Sequence, residues 1–92
     1  AWASSDKTGI SMKLYTTQPG IQLYTGNFLQ NCPSPGKVGV PLEKYGGFAL
    51  ETQHFPCSPS HPEFPTTVLR AGKVFRANTT LRFFTGRQCG RL

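Results

Sequence analysis

Residues 12–25 of this 92-residue chain read MKLYTTQPGIQLYT, and this stretch decides the fold class. Apolar and polar side chains alternate along residues 12–17 in the period-2 pattern of a half-buried β-strand. Residues 18–20, Gln-Pro-Gly, have the composition of a turn. The alternation resumes at once over residues 21–25, which puts Gln22 on the polar face of a second strand. We therefore predict two consecutive β-strands.

The rest of the chain continues the β pattern. Ten glycines and eight prolines argue against long helices, and the four prolines within residues 54–65 require an irregular loop there. Further strand-like runs occupy residues 46–53, 66–69, 74–75 and 79–85, with a turn at residues 70–73. We predict an all-β fold and a single segment over residues 1–92, with no convincing helix, repeat or internal domain boundary.

The charge is positive and unevenly distributed. Ten Lys and Arg against four Asp and Glu give a formal net charge of +6. Residues 1–65 hold four bases and four acids (4 − 4 = 0), so all of the excess positive charge lies in the residues after Glu63. A basic half can mark a nucleic-acid-binding module, which we keep as an alternative function. The bases are never adjacent and are separated by apolar residues, as on a solvated strand face, so we expect no nucleic-acid partner.

The cysteines indicate the compartment. Cys32, Cys57 and Cys89 are odd in number and lack the close spacing of a disulfide framework. We interpret them as free thiols and predict a cytoplasmic protein. No apolar run approaches the roughly 20 residues that cross a bilayer, so no membrane partner is expected.

His54, Cys57 and His61 have the spacing H-x2-C-x3-H, which invites a metal interpretation. Prolines interrupt the segment and make convergence of three ligands awkward, and no fourth ligand is evident. Two structural or solvent-facing histidines are the alternative. We expect no metal at these residues.

Glu51 is the candidate catalytic residue. It lies inside the predicted strand FALETQ, residues 48–53, on the face opposite Leu50. A carboxylate on a partly dry concave face can act as a general base, whereas the alternative is a surface glutamate on the solvent side of a sheet. Gln22 and Gln53 occupy the polar faces of their strands, and amides that both donate and accept suit hydroxyl-rich ligands such as sugars.

Three stretches of the chain resemble signatures of the galactose mutarotase (aldose 1-epimerase) family. They follow the family's order as LYTTQPGIQLYTGNFL (14–29), GGFALETQHFP (46–56), and HPEFP with VLRAG (61–65 and 68–72). The resemblance runs from about residue 8 to residue 84 and is to the C-terminal part of the family's enzymes. It departs at Cys57, where the family often has Asp, and in residues 85–92, which have no clear counterpart.

The resemblance implies a large antiparallel β-sandwich, the galactose mutarotase-like supersandwich, which binds sugar on a concave sheet face. It places Glu51 at the position of the general base and Gln22 at that of a sugar-binding glutamine. It also implies that the catalytic histidines, a sugar-binding aspartate and an arginine belong to a part that would precede Ala1. We therefore expect the 92 residues alone to be inactive.

For the complete protein, the resemblance implies a cofactor-free isomerase of hexose metabolism. Its expected reaction interconverts the α and β anomers of aldohexoses such as galactose and glucose, and we expect a monomer or weak dimer. The alternative is a mutarotase-like domain that binds carbohydrate without catalysis. The nucleic-acid-binding module is a third hypothesis and rests on the charge alone.

Overall fold

The computed structural model describes residues 1–86, and within that range the backbone forms strands and two single-turn 3₁₀ helices but no α-helix. The strands are β1 (Trp2–Ser4), β2 (Ile10–Thr16), β3 (Gly20–Tyr24), β4 (Ala49–Gln53) and β5 (Thr79–Thr85). The 3₁₀ helices are Leu29–Asn31 and Ser58–Ser60. All strand pairs are antiparallel, so the predicted all-β fold is confirmed.

A three-stranded sheet has the order β1-β2-β5, with β2 in the centre. Leu14 of β2 lies directly opposite Leu81 of β5, and Met12 lies opposite Phe83. Direct cross-strand partners share a face, so these four side chains form one apolar face. The alternation predicted for residues 79–85 is therefore confirmed, including both ends of the strand.

The strands β3 and β4 form a separate two-stranded sheet. Their register pairs Gln22 with Glu51 and Leu23 with Leu50. Residues 25–48 connect the two strands and include the first 3₁₀ helix. A connection of this length leaves the register to side-chain packing and not to turn geometry.

Threonine hydroxyls join the two sheets. Oγ1 of Thr79 in β5 lies 3.2 Å from Oγ1 of Thr16 in β2 and 3.0 Å from Oγ1 of Thr52 in β4. Just before β5, the N–H of Asn78 donates to Oγ1 of Thr17 at 3.0 Å. Thr79 therefore contacts both sheets, and the hydroxyl pair of Thr52 and Thr79 is a direct contact between the β3–β4 sheet and the three-stranded sheet.

The predicted pair of strands at residues 66–69 and 74–75 is wrong. The turn between them forms, with the N–H of Lys73 donating to the carbonyl of Arg70 at 3.1 Å, but neither flank is a strand. Their β-branched and aromatic residues have high strand propensity, yet a strand also needs a hydrogen-bonding neighbour. Within residues 1–86, the strands pair only among β1 to β5.

Leu14 is the only buried hydrophobic side chain in the described residues. The chain exposes 8018 Å², whereas a compact protein of this size would expose about 5,300 Å². Its radius of gyration is 17.1 Å, against about 12 Å for a compact domain of the same length. Apolar side chains such as Leu81 and Phe83 are consequently exposed.

Candidate functional site

The β3–β4 sheet brings the two predicted site residues together. Gln22 and Glu51 are direct cross-strand partners, so their side chains project from the same face of the sheet. Gln53, two residues beyond Glu51 on β4, shares that face. We call this surface the amide–carboxylate face (Gln22, Glu51 and Gln53). The sequence predicted polar faces on two separate strands, and the pairing of those strands makes them one surface.

The other face of the same sheet carries the contact with the three-stranded sheet. Ile21 pairs with Thr52 there, and the Thr52 hydroxyl is the one that contacts Thr79. Alternation along β4 puts Glu51 on the opposite side from Thr52. The amide–carboxylate face is therefore directed away from this contact.

One side-chain hydrogen bond lies within the amide–carboxylate face. Nε2 of Gln53 donates to Oε1 of Gln22 over 3.2 Å. A glutamine amide offers one acceptor oxygen with two lone pairs and one NH₂ group, so this bond directs the oxygen of Gln22 toward Gln53 and leaves the NH₂ group of Gln22 for another partner. The sequence pattern places both glutamines on polar faces, but it does not predict their contact, because diagonal neighbours are defined only by the register.

The Glu51 side chain is exposed within the described residues. A ligand could therefore reach the carboxylate without any rearrangement of residues 1–86. The same residues do not by themselves exclude water from it. The partly dry surroundings expected for a general base stay a prediction.

An open cleft of about 410 Å³ adjoins the amide–carboxylate face. The residues that line it are Gly20, Ile21, Gln22, Gln53, His54, Phe55 and Pro56. The Phe55 ring packs edge-to-face against Phe64, with 5.0 Å between the ring centroids. A Cβ atom at Gly20 would lie 3.0 Å from the Phe55 ring, so glycine leaves room for this aromatic wall. The two glutamines of the face also line the cleft, whereas Glu51 does not.

The two histidines of the H-x2-C-x3-H segment have separate surroundings. Nδ1 of His61 lies 2.9 Å from Oε1 of Glu63, and the His61 ring stacks on Phe64 with 4.8 Å between centroids. His54 instead lies beside Phe75, with 6.3 Å between centroids. In the described part of the chain, no three His, Cys, Asp or Glu side chains come together in a way that could hold a metal ion. Within the described residues, the side chains of the H-x2-C-x3-H segment therefore do not come together as metal ligands.

Cys32 and Cys57 are free, exposed thiols. Cys89 and the basic residues Arg87 and Arg91 lie outside the described residues. Over residues 1–86, the structure contains no helix of the length and apolar character needed to span a membrane.

Fold and site together define a class of protein. The described chain is an antiparallel β structure that presents two amides and a carboxylate beside an aromatic-walled cleft. Convergent donors and acceptors next to apolar surface are what a hydroxyl-rich small molecule requires. The class is an all-β protein with a polar sheet face suited to such ligands.

The chain belongs to the aldose 1-epimerase family, whose sequence profile matches residues 1–82. It is 43% identical over 76 residues to the galactose mutarotases of Rattus norvegicus and Homo sapiens, which covers 83% of this chain and 22% of each relative. It is 39% identical over 84 residues to the aldose 1-epimerase of Escherichia coli (strain K12), which covers 89% of this chain and 23% of that relative. The chain thus spans about a fifth of the length of these curated relatives. The family predicted from the three motifs is confirmed.

Proposed function

We propose that the complete protein containing this chain is an aldose 1-epimerase that interconverts the α and β anomers of aldohexoses such as galactose and glucose. One observation carries the proposal: Gln22 and Glu51 are paired on an exposed sheet face, inside the part of the chain that the family profile matches. The names of the relatives, galactose mutarotase and aldose 1-epimerase, support the substrate class. We also propose a cytoplasmic protein that is a monomer or weak dimer.

In the proposed mechanism, Glu51 acts as the general base. Its carboxylate takes the proton of the anomeric hydroxyl while an acid donates a proton to the ring oxygen, and the bond between C1 and that oxygen breaks. Rotation about C1–C2 of the open-chain aldehyde then allows closure on the other face, with both protons returned. Substrate and product differ only in configuration at C1, so the reaction consumes no oxidant, reductant or cofactor.

The acid partner is assigned to a group outside the described residues. The family resemblance implies that this acid is a histidine that is not among the described residues. On that ground we expect the 92 residues alone to show no measurable mutarotation.

Polarimetry of the complete protein tests the role of Glu51. With freshly dissolved α-galactose or α-glucose, Glu51→Gln should lower the catalysed rate by about 10²- to 10⁴-fold, the usual contribution of a general base. Glu43→Gln is the matched control, because it removes the same charge from an exposed loop residue and should leave the rate unchanged. A Glu51→Gln variant with the wild-type rate would show that Glu51 is not the base.

Binding measurements on the same variants separate the competing functions. Calorimetric titration with galactose should give a Kd for Glu51→Gln within a few-fold of the wild-type value, since the amide keeps the shape of the carboxylate. Sugar binding by a wild-type protein that does not accelerate anomerisation would support the non-catalytic binding domain instead. Steeply salt-dependent binding of oligonucleotides, with no sugar binding, would support the nucleic-acid hypothesis.

A further inference from the structure

Gln53 and Gln22 differ in how freely their side chains can move. Gln53 is half-buried at the end of β4, and Gln22 is exposed in β3. The hydrogen bond between them runs from Nε2 of Gln53 to Oε1 of Gln22 over 3.2 Å. The more enclosed Gln53 side chain therefore holds the more exposed Gln22 side chain, and the bond is to the amide oxygen of Gln22.

The orientation of the Gln22 amide has a chemical consequence for Glu51. Direct cross-strand partners have Cβ atoms about 4.5–5.5 Å apart, so one small ligand can reach both side chains. An ionised carboxylate only accepts hydrogen bonds, whereas an amide can present either a donor or an acceptor. If Gln22 presented its oxygen beside Glu51, two acceptors would compete for the same hydroxyl hydrogen. With the oxygen held by Gln53, Gln22 presents its NH₂ group.

We propose that Gln53 is a positioning residue that fixes the amide of Gln22 so that Gln22 donates to a sugar oxygen while Glu51 accepts the hydroxyl proton. This inference rests on the proposed function, because it assumes that the sugar lies against Gln22 and Glu51. It assigns Gln53 no contact with the sugar. One sugar molecule can then accept a hydrogen bond from the NH₂ group of Gln22 and donate a hydroxyl hydrogen to the carboxylate of Glu51.

Two substitutions of Gln53 in the complete protein test the inference. Gln53→Met keeps the length of the side chain but removes the donor, so the Gln22 amide can turn either way. We expect KM for galactose to rise about fivefold with a smaller change in kcat, the effect of losing one neutral hydrogen bond. Gln53→Glu supplies only acceptors, draws the NH₂ group of Gln22 away from the ligand and should raise KM further. Gln30→Met, on the exposed 3₁₀ helix, is the control and should leave KM unchanged.

A double-mutant cycle distinguishes positioning from direct contact. If Gln53 acts only through Gln22, then Gln53→Met should have no further effect on KM in a Gln22→Met background. An undiminished fivefold effect in that background would overturn the inference, since Gln53 would then act on the ligand itself.

A structural readout separates this inference from the proposed function. The side-chain NH₂ signals of Gln22 in ¹H–¹⁵N spectra of the ligand-free protein should shift in both Gln53→Met and Gln53→Glu, and the two shifts should differ. Unchanged Gln22 signals would overturn the positioning role whatever the activity. Shifted signals in a protein that binds no sugar and catalyses no mutarotation would support the positioning of Gln22 while refuting the proposed function.

Discussion

The β3–β4 sheet and the β1–β2–β5 sheet are both antiparallel, but they are supported in different ways. In the three-stranded sheet, apolar partners face one another and Leu14 is only 4% exposed. In the β3–β4 sheet, no hydrophobic side chain is buried within the described residues, and Leu23 is 60% exposed. The amide–carboxylate face thus lies on the sheet with the weaker apolar support. The position of the amide–carboxylate face therefore depends on a few specific backbone and hydroxyl contacts.

One of these contacts lies where the chain leaves β3. Gly26 is buried, has φ +79°, and its carbonyl accepts a hydrogen bond from the N–H of Tyr45 at 2.9 Å. A Cβ atom at Gly26 would overlap the carbonyl oxygen of Gly47 and lie 2.8 Å from Cδ1 of Leu29. Because Gly47 is just upstream of β4, this backbone approach holds both ends of the β3–β4 connection together.

Gly26→Ala should have the largest effect on stability, and it should destabilise the β3–β4 sheet more than the three-stranded sheet. A side chain at this φ and against a backbone oxygen should lower the free energy of unfolding of the complete protein by about 3 kcal/mol or more. Native-state hydrogen exchange should show the amides of β3 and β4 losing protection while those of β2 and β5 keep theirs. Equal loss of protection in both sheets would contradict the separate support of the two regions.

Two other glycines provide the controls for Gly26→Ala. Gly72 has φ +78° but no atom within 4 Å of its added Cβ, so Gly72→Ala isolates the backbone strain and should cost about 1 kcal/mol. At Gly47 the nearest atom to an added Cβ is Cδ1 of Leu29 at 3.8 Å, an ordinary contact. Gly47→Ala should therefore change stability by less than about 1 kcal/mol.

Leu14→Ala is the corresponding break in the three-stranded sheet. Removing a buried leucine side chain from a core typically costs about 2–5 kcal/mol, and we expect about 2.5 kcal/mol here because the surroundings of Leu14 are otherwise open. Hydrogen exchange should now report lost protection in β2 and β5 with β3 and β4 less affected. Leu14→Met conserves volume and should cost less than about 1.5 kcal/mol. If both variants cost the same, packing at Leu14 is not what supports the sheet.

The strands that alternate over five or more residues could be predicted from the sequence, and the short or unpaired ones could not. β5 is predicted with its observed ends because alternation runs through all of residues 79–85. β1 is not predicted, because three residues carry too little pattern. Residues 66–69 have strand propensity without a neighbouring strand, and propensity alone does not provide the hydrogen bonds of a sheet.

The sequence proposes residues for the candidate site but does not predict their geometry. Alternation puts Glu51 and Gln22 on polar faces, and the family resemblance singles out both. Their direct pairing depends on the register across a connection of more than twenty residues, which no local turn signal fixes. For the same reason, the bond from Gln53 to Gln22 and the link from Thr52 to Thr79 emerge only from the structure.

Thr79→Val should have an intermediate effect on stability, because Thr79 connects the two sheets without belonging to the core of either. The substitution keeps the shape but removes the hydroxyl that contacts Thr16 and Thr52. Two exposed hydrogen bonds should cost about 1–2 kcal/mol of unfolding free energy, and KM should rise with them if the link orients the site. Thr80→Val, at the next position on the opposite face of β5, is the control, since its hydroxyl makes no hydrogen bond within residues 1–86. A KM that is unchanged in Thr79→Val would mean that the amide–carboxylate face is oriented independently of the three-stranded sheet.

Arg82→Glu should have the smallest effect on the free energy of unfolding, and it should raise that free energy where the other variants lower it. On the face of the three-stranded sheet opposite Leu14, Lys13 lies directly across from Arg82, and like charges in that arrangement are destabilising. Lys13 gains some compensation from the Phe84 ring, whose centroid lies 5.8 Å from its Nζ. Replacing Arg82 with Glu turns repulsion into attraction and should raise the free energy of unfolding by about 0.5 kcal/mol at low ionic strength.

A measurement at high salt and a second variant test whether the gain in unfolding free energy comes from the pair of residues 13 and 82. Screening at 1 M salt should remove most of it, because the Debye length falls to about 3 Å. Arg76→Glu changes the net charge by the same two units, but Arg76 lies exposed between the turn at residues 70–73 and β5, outside any strand pair. If Arg76→Glu stabilises the protein as much as Arg82→Glu, the benefit comes from lowering the overall positive charge of +6. If only Arg82→Glu does so, the three-stranded sheet carries a repulsive pair of charges on the face opposite Leu14. The β3–β4 sheet differs, because its one acid, Glu51, lies opposite a neutral amide.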